Sequence, residues 1–192
     1  MSEITLLLEA VERGENQAAE ELLPLVYDEL RHLAAARLGH NSTSQTLQAT
    51  ALVHEAWLRL INQGDRTWNN REHFFRAAAQ AMRHILVDLS RQKASLKRGS
   101  HPERLNIEEM DLAVAAPDDR ILLVNHALAR LEEEDPDSAQ LVILKFFGGF
   151  TNQEVAHMLG LSERTLARQW AYAKGCLYQL IQEESSGNPP SA

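Results

Sequence analysis

The sequence predicts an all-α protein: two small helical domains joined by a flexible acidic linker, the C-terminal one containing a helix-turn-helix. Three observations carry this. Apolar residues recur at spacings of three to five over most of the 192-residue chain, as in helices with one buried face. Strand signals are nearly absent: no Val/Ile/Thr-rich run alternates with period two for long, and no Asn-Gly or Asp-Gly turn joins two such runs. Between two helical stretches, residues 99–118 hold a glycine, two prolines, several acids and little periodicity, which reads as a linker. The division is then 1–98 for the first domain, 99–118 for the linker, 119–183 for the second domain and 184–192 for a disordered tail.

The first helix read from the pattern covers residues 17–38, where Leu22, Leu23, Val26, Leu30, Leu33 and Leu38 form an apolar stripe; Pro24 inside it is expected to break or kink it. A second runs from about Thr46 to Ile61 and ends at Asn62, Gln63, Gly64 and Asp65. A third starts near Asn70 and continues to Lys97, where Gly99, Ser100 and Pro102 stop it. Beyond the linker, helices are expected over 119–132, 137–147, 152–159 and 163–182.

Composition bounds the function. Hydrophobic residues at 44% and charged residues at 24% fit an ordinary folded soluble chain. The N-terminus has an acid where a signal peptide has basic residues, and no stretch reaches the roughly 18 apolar residues of a membrane span. The single cysteine, Cys176, has no partner for an internal disulfide and no zinc-like neighbours. A reducing cytoplasmic location is expected, with no membrane partner. His54-Glu55 begins like a zinc-protease helix, but Leu58 stands where the second histidine is required. No phosphate loop or nucleophile elbow appears, so the reading is of a non-enzyme with no catalytic residue, no metal and no cofactor.

Charge is unevenly distributed. The net charge of -8 argues against a polyanionic partner, but residues 107–135 hold nine acids against two bases, while residues 83–104 hold six bases against two acids. A locally basic segment thus precedes an acidic one.

The C-terminal pair of helices is the best punctuated part of the chain. Thr151 and Glu154 have capping-box spacing, with Phe150 and Val155 at staple positions. Gly160 supplies a left-handed stop, and Ser162 caps the next helix, with Leu161 and Leu166 as a second staple. On that helix Leu166, Trp170, Ala173, Leu177 and Leu180 form the packing stripe, while Arg164 and Arg168 point elsewhere with Ala167 between their rows. Arginines in the first turns of a recognition helix can pair bidentately with guanine in the major groove. Small Ala167 permits close approach, Glu163 can accept from cytosine, and Lys174 can meet a phosphate. Ser162, Glu163, Arg164, Thr165, Ala167, Arg168 and Lys174 are therefore the candidate residues for an upstream DNA element. A helical hairpin with merely solvated arginines is the plain alternative.

The stretch TNQEVAHMLGLSERTLARQWAYAKGCLYQL, preceded by LVILKFFGGF, resembles the fourth conserved region of bacterial sigma factors, which binds the minus-thirty-five element. LQATALVHEAWLRLI resembles the second-region helix that grips the polymerase clamp, and HFFRAAAQAMRHILVDLSRQKASLKRGS the helix that melts and reads the minus-ten element. Order, linker and the absence of other regions resemble the small extracytoplasmic-function sigma factors, in a divergent form similar to a group found in planctomycetes. The resemblance implies polymerase contacts at Leu52, His54, Glu55, Trp57 and Leu58. It also implies downstream-element and melting roles for Trp68, Arg71, Phe74, Phe75, Arg83, His84, Arg91 and Lys93. Ala51 and His54 depart from the clamp motif, and Ala77, Ala78 and His84 from the melting helix. The implied partners are core RNA polymerase, double-stranded promoter DNA and its melted strand, with room for an anti-sigma factor. The acidic residues 107–119 are expected to thread a basic polymerase channel.

Physically, melting needs aromatic or apolar surfaces for unpaired bases beside a basic groove. Trp68, Phe74 and Phe75 near Arg83, Arg91 and Lys93 could form one, but Phe74, Phe75 and Met82 lie at helical spacing and fit a core equally well. Two rival functions stay open: a conventional regulator that binds a palindrome as a dimer without polymerase, and a helical adaptor using residues 46–61.

Overall fold

A computed structural model describes residues 3–38, 43–62, 68, 70–96 and 118–186. Among them are eight α-helices and no strand: α1 Glu3–Glu12, α2 Asn16–Leu38, α3 Thr43–Asn62, α4 Arg71–Leu96, α5 Asp118–Glu134, α6 Pro136–Val142, α7 Asn152–Met158 and α8 Glu163–Ser186. A five-residue π segment, Ile143–Phe147, continues α6. The all-α class read from the sequence is what the chain adopts.

Helix α1 was not expected. Ile4, Leu7, Leu8 and Val11 form its inner stripe, with Leu8 and Val11 fully buried. Glu9 and Glu12 interrupt the apolar run in sequence, but a helix needs only one apolar face. Helix α2 runs unbroken through Pro24. The proline lies on the solvent side, as does Glu20 one turn earlier, so the carbonyl that loses its N–H partner can bond water instead. Helix α4 starts where the sequence marks it: the Asn70 side chain accepts from the His73 N–H at 2.8 Å. Asp135 caps α6 by accepting from Ser138 N–H at 3.1 Å, with Pro136 in the first turn, where a missing N–H is harmless.

The expected helix 137–147 changes hydrogen-bond period after Val142. Gly148 N–H reaches back to the Ile143 carbonyl at 2.9 Å and Phe150 N–H to that of Leu144 at 3.2 Å. The extra residue lets the consecutive side chains Phe146 and Phe147 both be buried. Gly148 is obligatory here, since a Cβ would sit 2.7 Å from the Leu144 carbonyl oxygen and 2.8 Å from the Phe150 ring.

Helix α2 packs on α1 and α3, α3 on α4, and α8 on α5, α6 and α7. The two halves also meet, because α4 lies along α5 and the π segment, and one continuous buried cluster runs through all eight helices. Residues 99–117 of the expected linker and 187–192 of the expected tail lie outside the described residues; residues 184–186 continue α8.

Candidate nucleic-acid interface

The turn into α8 is built from local bonds. Glu154 Oε2 accepts from Thr151 N–H at 2.7 Å, and Glu154 N–H donates to Thr151 Oγ1 at 3.3 Å, closing the capping box. At the other end of α7, Leu161 N–H bonds the Ala156 carbonyl at 2.9 Å and Gly160 N–H that of His157 at 3.2 Å. This pattern requires the left-handed Gly160, whose φ is 64°. Ser162 Oγ then accepts from Thr165 N–H at 3.1 Å, and the two hydroxyls lie 2.8 Å apart. Both polar caps are thus engaged before α8 begins, which fixes its direction.

Helix α8 divides cleanly. Leu166, Trp170, Ala173, Leu177 and Leu180 are buried, whereas Ser162, Glu163, Arg164, Ala167 and Arg168 are exposed. Thr165 is half-buried, held by Ser162. Lys174 is drawn toward the body of the protein, its ammonium 5.6 Å from the Trp170 ring centre. Lys145 approaches the same ring at 5.9 Å and donates to the Phe150 carbonyl at 2.9 Å.

A second surface is formed by α3 and α4. His54, Glu55 and Leu58 are exposed on α3, one turn apart, while Leu52 and Trp57 lie on its buried face. Arg59 links the two helices, with Nη2 3.1 Å from Asp88 Oδ2 and Nε 3.7 Å from Glu55 Oε1. On α4, His84 and Arg91 are exposed; the Lys93 side chain lies outside the described residues. Partial burial of His84, then the Arg83 and Arg59 charges, hold its pKa below the ordinary value.

Of the remaining described candidates in the downstream set, Trp68, Phe74, Phe75 and Arg83 face inward and Arg71 is half-buried. Trp68, Phe74 and Phe75 are buried in an edge-to-face chain: Trp68 to Phe74 at 5.4 Å, Phe74 to Phe75 at 5.3 Å, and Phe75 to Phe150 of the other half at 6.2 Å. In this arrangement their faces are closed to an unpaired base. Arg71 pairs with Glu29 and lies 5.0 Å over the Phe75 ring. Burial raises the pKa of the Glu29 carboxyl; Arg71 offsets this, and the like charge of Glu154 adds to it.

Arg83 is the most enclosed of the described basic residues in the set, with 7% of its side chain exposed. Its Nε donates to Asn125 Oδ1 at 2.9 Å, Nη1 to Glu132 Oε1 at 2.6 Å and Nη2 to Glu132 Oε2 at 3.3 Å. The guanidinium also lies 5.8 Å from the Phe147 ring. Sequence reading did not single out Asn125 and Glu132, which lie 42 and 49 residues away. It also passed over Arg76 and Gln80, which share a stripe with Arg83 at helical spacing; that spacing was the available signal. Among the described residues, Arg76 Nε and Gln80 Oε1 are buried without a hydrogen-bond partner.

The arrangement is that of a helical protein that carries an exposed, basic helix capped by Ser162 and a mixed polar surface on α3 and α4. The family model for ECF sigma factors matches residues 1–183, and the chain belongs to that family. Its role is therefore that of a sigma factor in transcription, in a family of initiation factors rather than enzymes, and membership implies RNA polymerase and promoter DNA as partners. No curated protein matches the chain. Among the described residues, no helix is long and apolar enough to cross a membrane.

Proposed function

We propose that the chain binds core RNA polymerase and directs promoter recognition, melting and initiation by gripping the promoter at two points. The observation that carries this reading is the exposure of Arg164 and Arg168 in the first turns of α8, behind a glycine turn and two side-chain caps. Those turns are the part of a recognition helix that enters the major groove, where arginine reads guanine. Ser162, Glu163, Thr165 and Ala167 complete the upstream contact, and Lys174 serves the phosphate backbone. His54, Glu55 and Leu58 offer the polymerase an exposed α3 face, with Leu52 and Trp57 holding that face in place from beneath. His84 and Arg91 border the downstream element. The remaining members, Trp68, Arg71, Phe74, Phe75, Arg83 and Lys93, belong to the same helix or the loop before it. An anti-sigma factor would act by covering either surface, and the acidic residues 107–119 would follow the basic channel of the polymerase. The site of action is the cytoplasm.

The test is run-off transcription with core polymerase and mapped start sites. Specific initiation that depends on this chain supports the proposal. Footprinting of a palindrome by a dimer, with no polymerase binding in a pull-down, would replace it with a conventional regulator.

A further inference from the structure

We propose that the open cleft between α6, the turn from α7 to α8 and the outer side of α8 is a docking site for a basic segment of a protein partner, one that places an arginine or lysine beside an apolar side chain. The cleft stands on its own geometry; its place beside upstream DNA rests on the reading of α8 as the recognition helix.

The cleft has a volume of about 430 Å³, within the range of ligand-binding clefts. Its apolar part is made by Leu141, which is buried, and by Leu159 and Leu161, which are half-buried on either side of Gly160. Tyr172 lines it too and is 62% exposed. The residues by which this part of α8 packs on the rest of the protein, Leu166, Trp170 and Ala173, are fully or almost fully closed, so the core does not account for Tyr172. An exposed aromatic ring beside partly covered leucines has the composition of an interface centre.

The remainder of the cleft is negative. Asp135 and Asp137 line it, and among the described residues no base does. Ser138 bonds the Asp135 carboxyl through its side chain and then its backbone N–H, which holds that carboxyl below its ordinary pKa. The charge is therefore present and fixed in direction before a partner arrives, and little ordering is needed for it to meet a cation. Its field reaches Tyr172: the hydrogen bond to Cys176, then the charges of Cys176 and Asp135, raise the pKa of the phenol. The neutral ring can take a cation on its face while the carboxylates meet the head group, and the leucines receive the apolar neighbour. The same two acids repel phosphate, which sets the cleft apart from Arg164 and Arg168. Gln169 follows Arg168 directly and lines the cleft, so a bound partner would lie alongside the DNA that those arginines read.

The full chain titrated with a fluorescein-labelled peptide of alternating arginine and leucine tests this, with anisotropy to measure binding and leucine-methyl NMR to locate it. The methyls of Leu141, Leu159 and Leu161 should shift. Peptides of alternating arginine and serine, or glutamate and leucine, should bind roughly five-fold or more weakly. Tyr172→Ala, and Asp135→Asn combined with Asp137→Asn, should each cost a similar factor in affinity for the arginine-leucine peptide. Asparagine keeps the α6 cap, and circular dichroism verifies the fold. Neither variant should lose affinity for a mixed-sequence DNA duplex. Peptide binding that spares these methyls, undiminished binding by the variants, or a matching loss of duplex affinity would each overturn the proposal. A monomer–dimer equilibrium abolished by Tyr172→Ala would do so as well, by assigning the cleft to a second copy of the chain. Failure of polymerase-dependent initiation with peptide binding intact would instead remove the initiation role and leave the docking site standing.

Discussion

Arg164 and Arg168 on α8 and Arg83 on α4 are the same residue type on long amphipathic helices, yet they live in opposite surroundings. The α8 arginines stand in solvent beyond a rigid turn, while Arg83 is bonded to Asn125 and Glu132 and overlies Phe147. Neither helix dictates this by itself. The outer face of α8 has nothing packed on it from elsewhere in the described chain, whereas α4 receives α5 and the π segment along its length. A basic residue is thus a ready contact or a structural tie according to which distant element arrives over it.

The largest expected effect would test the inward-facing side of this contrast. Phe74→Ala removes a fully buried ring touching Trp57, Trp68 and Phe75, and should cost about 3–5 kcal/mol of stability in a denaturant titration. A loss below about 1 kcal/mol would return Phe74 to the surface and break the contrast. On the outward-facing side, Arg168→Ala should leave stability within about 0.5 kcal/mol. It should weaken binding to a cognate upstream element by about 1–3 kcal/mol, and an equal loss on all sequences in competition binding would move Arg168 from base to phosphate. Gly160→Ala should cost about 1–2 kcal/mol in thermal melting, because φ is 64° and the space around the new Cβ is open. A neutral result would mean that the turn relaxes and does not fix α8. The smallest effect concerns His84. Its folded pKa lies below the ordinary 6.5, so as pH falls through 6.5 and then the depressed value, the unfolded chain binds the proton first and stability declines. His84→Asn should flatten that part of the stability-versus-pH curve; an unchanged slope would mean that neither partial burial nor the Arg83 and Arg59 charges bear on His84.

What could be read in the sequence follows the range of the interactions. Caps and stops are local, so Asn70, Thr151 with Glu154, Gly160 and Ser162 mark their helix ends within three residues. The packing stripe of α8 was legible for the same reason. Helix α1 was obscured because its acids interrupt a run but not a face. The period change at Ile143 was hidden because Phe146 and Phe147 look like an ordinary helical pair until both have partners. At Trp68, Phe74 and Phe75 the spacing allowed either a core or a base-stacking surface; Trp57 packs on Phe74 and Phe150 of the other half on Phe75, contacts that no local pattern announces. Arg83 read as one base among several, since nothing within a turn of it announces Asn125 or Glu132.

The π segment bears on more than the burial of two phenylalanines. Each residue in a helix advances the azimuth of those that follow by about 100°, and the wider turn over Ile143–Phe147 absorbs one extra residue without that advance. It therefore acts as a phase adjuster in the chain. It lets Phe147 and Phe150 point back toward Arg83 and Phe75, while α7 and α8, which follow it, leave at the angle that turns Arg164 and Arg168 outward.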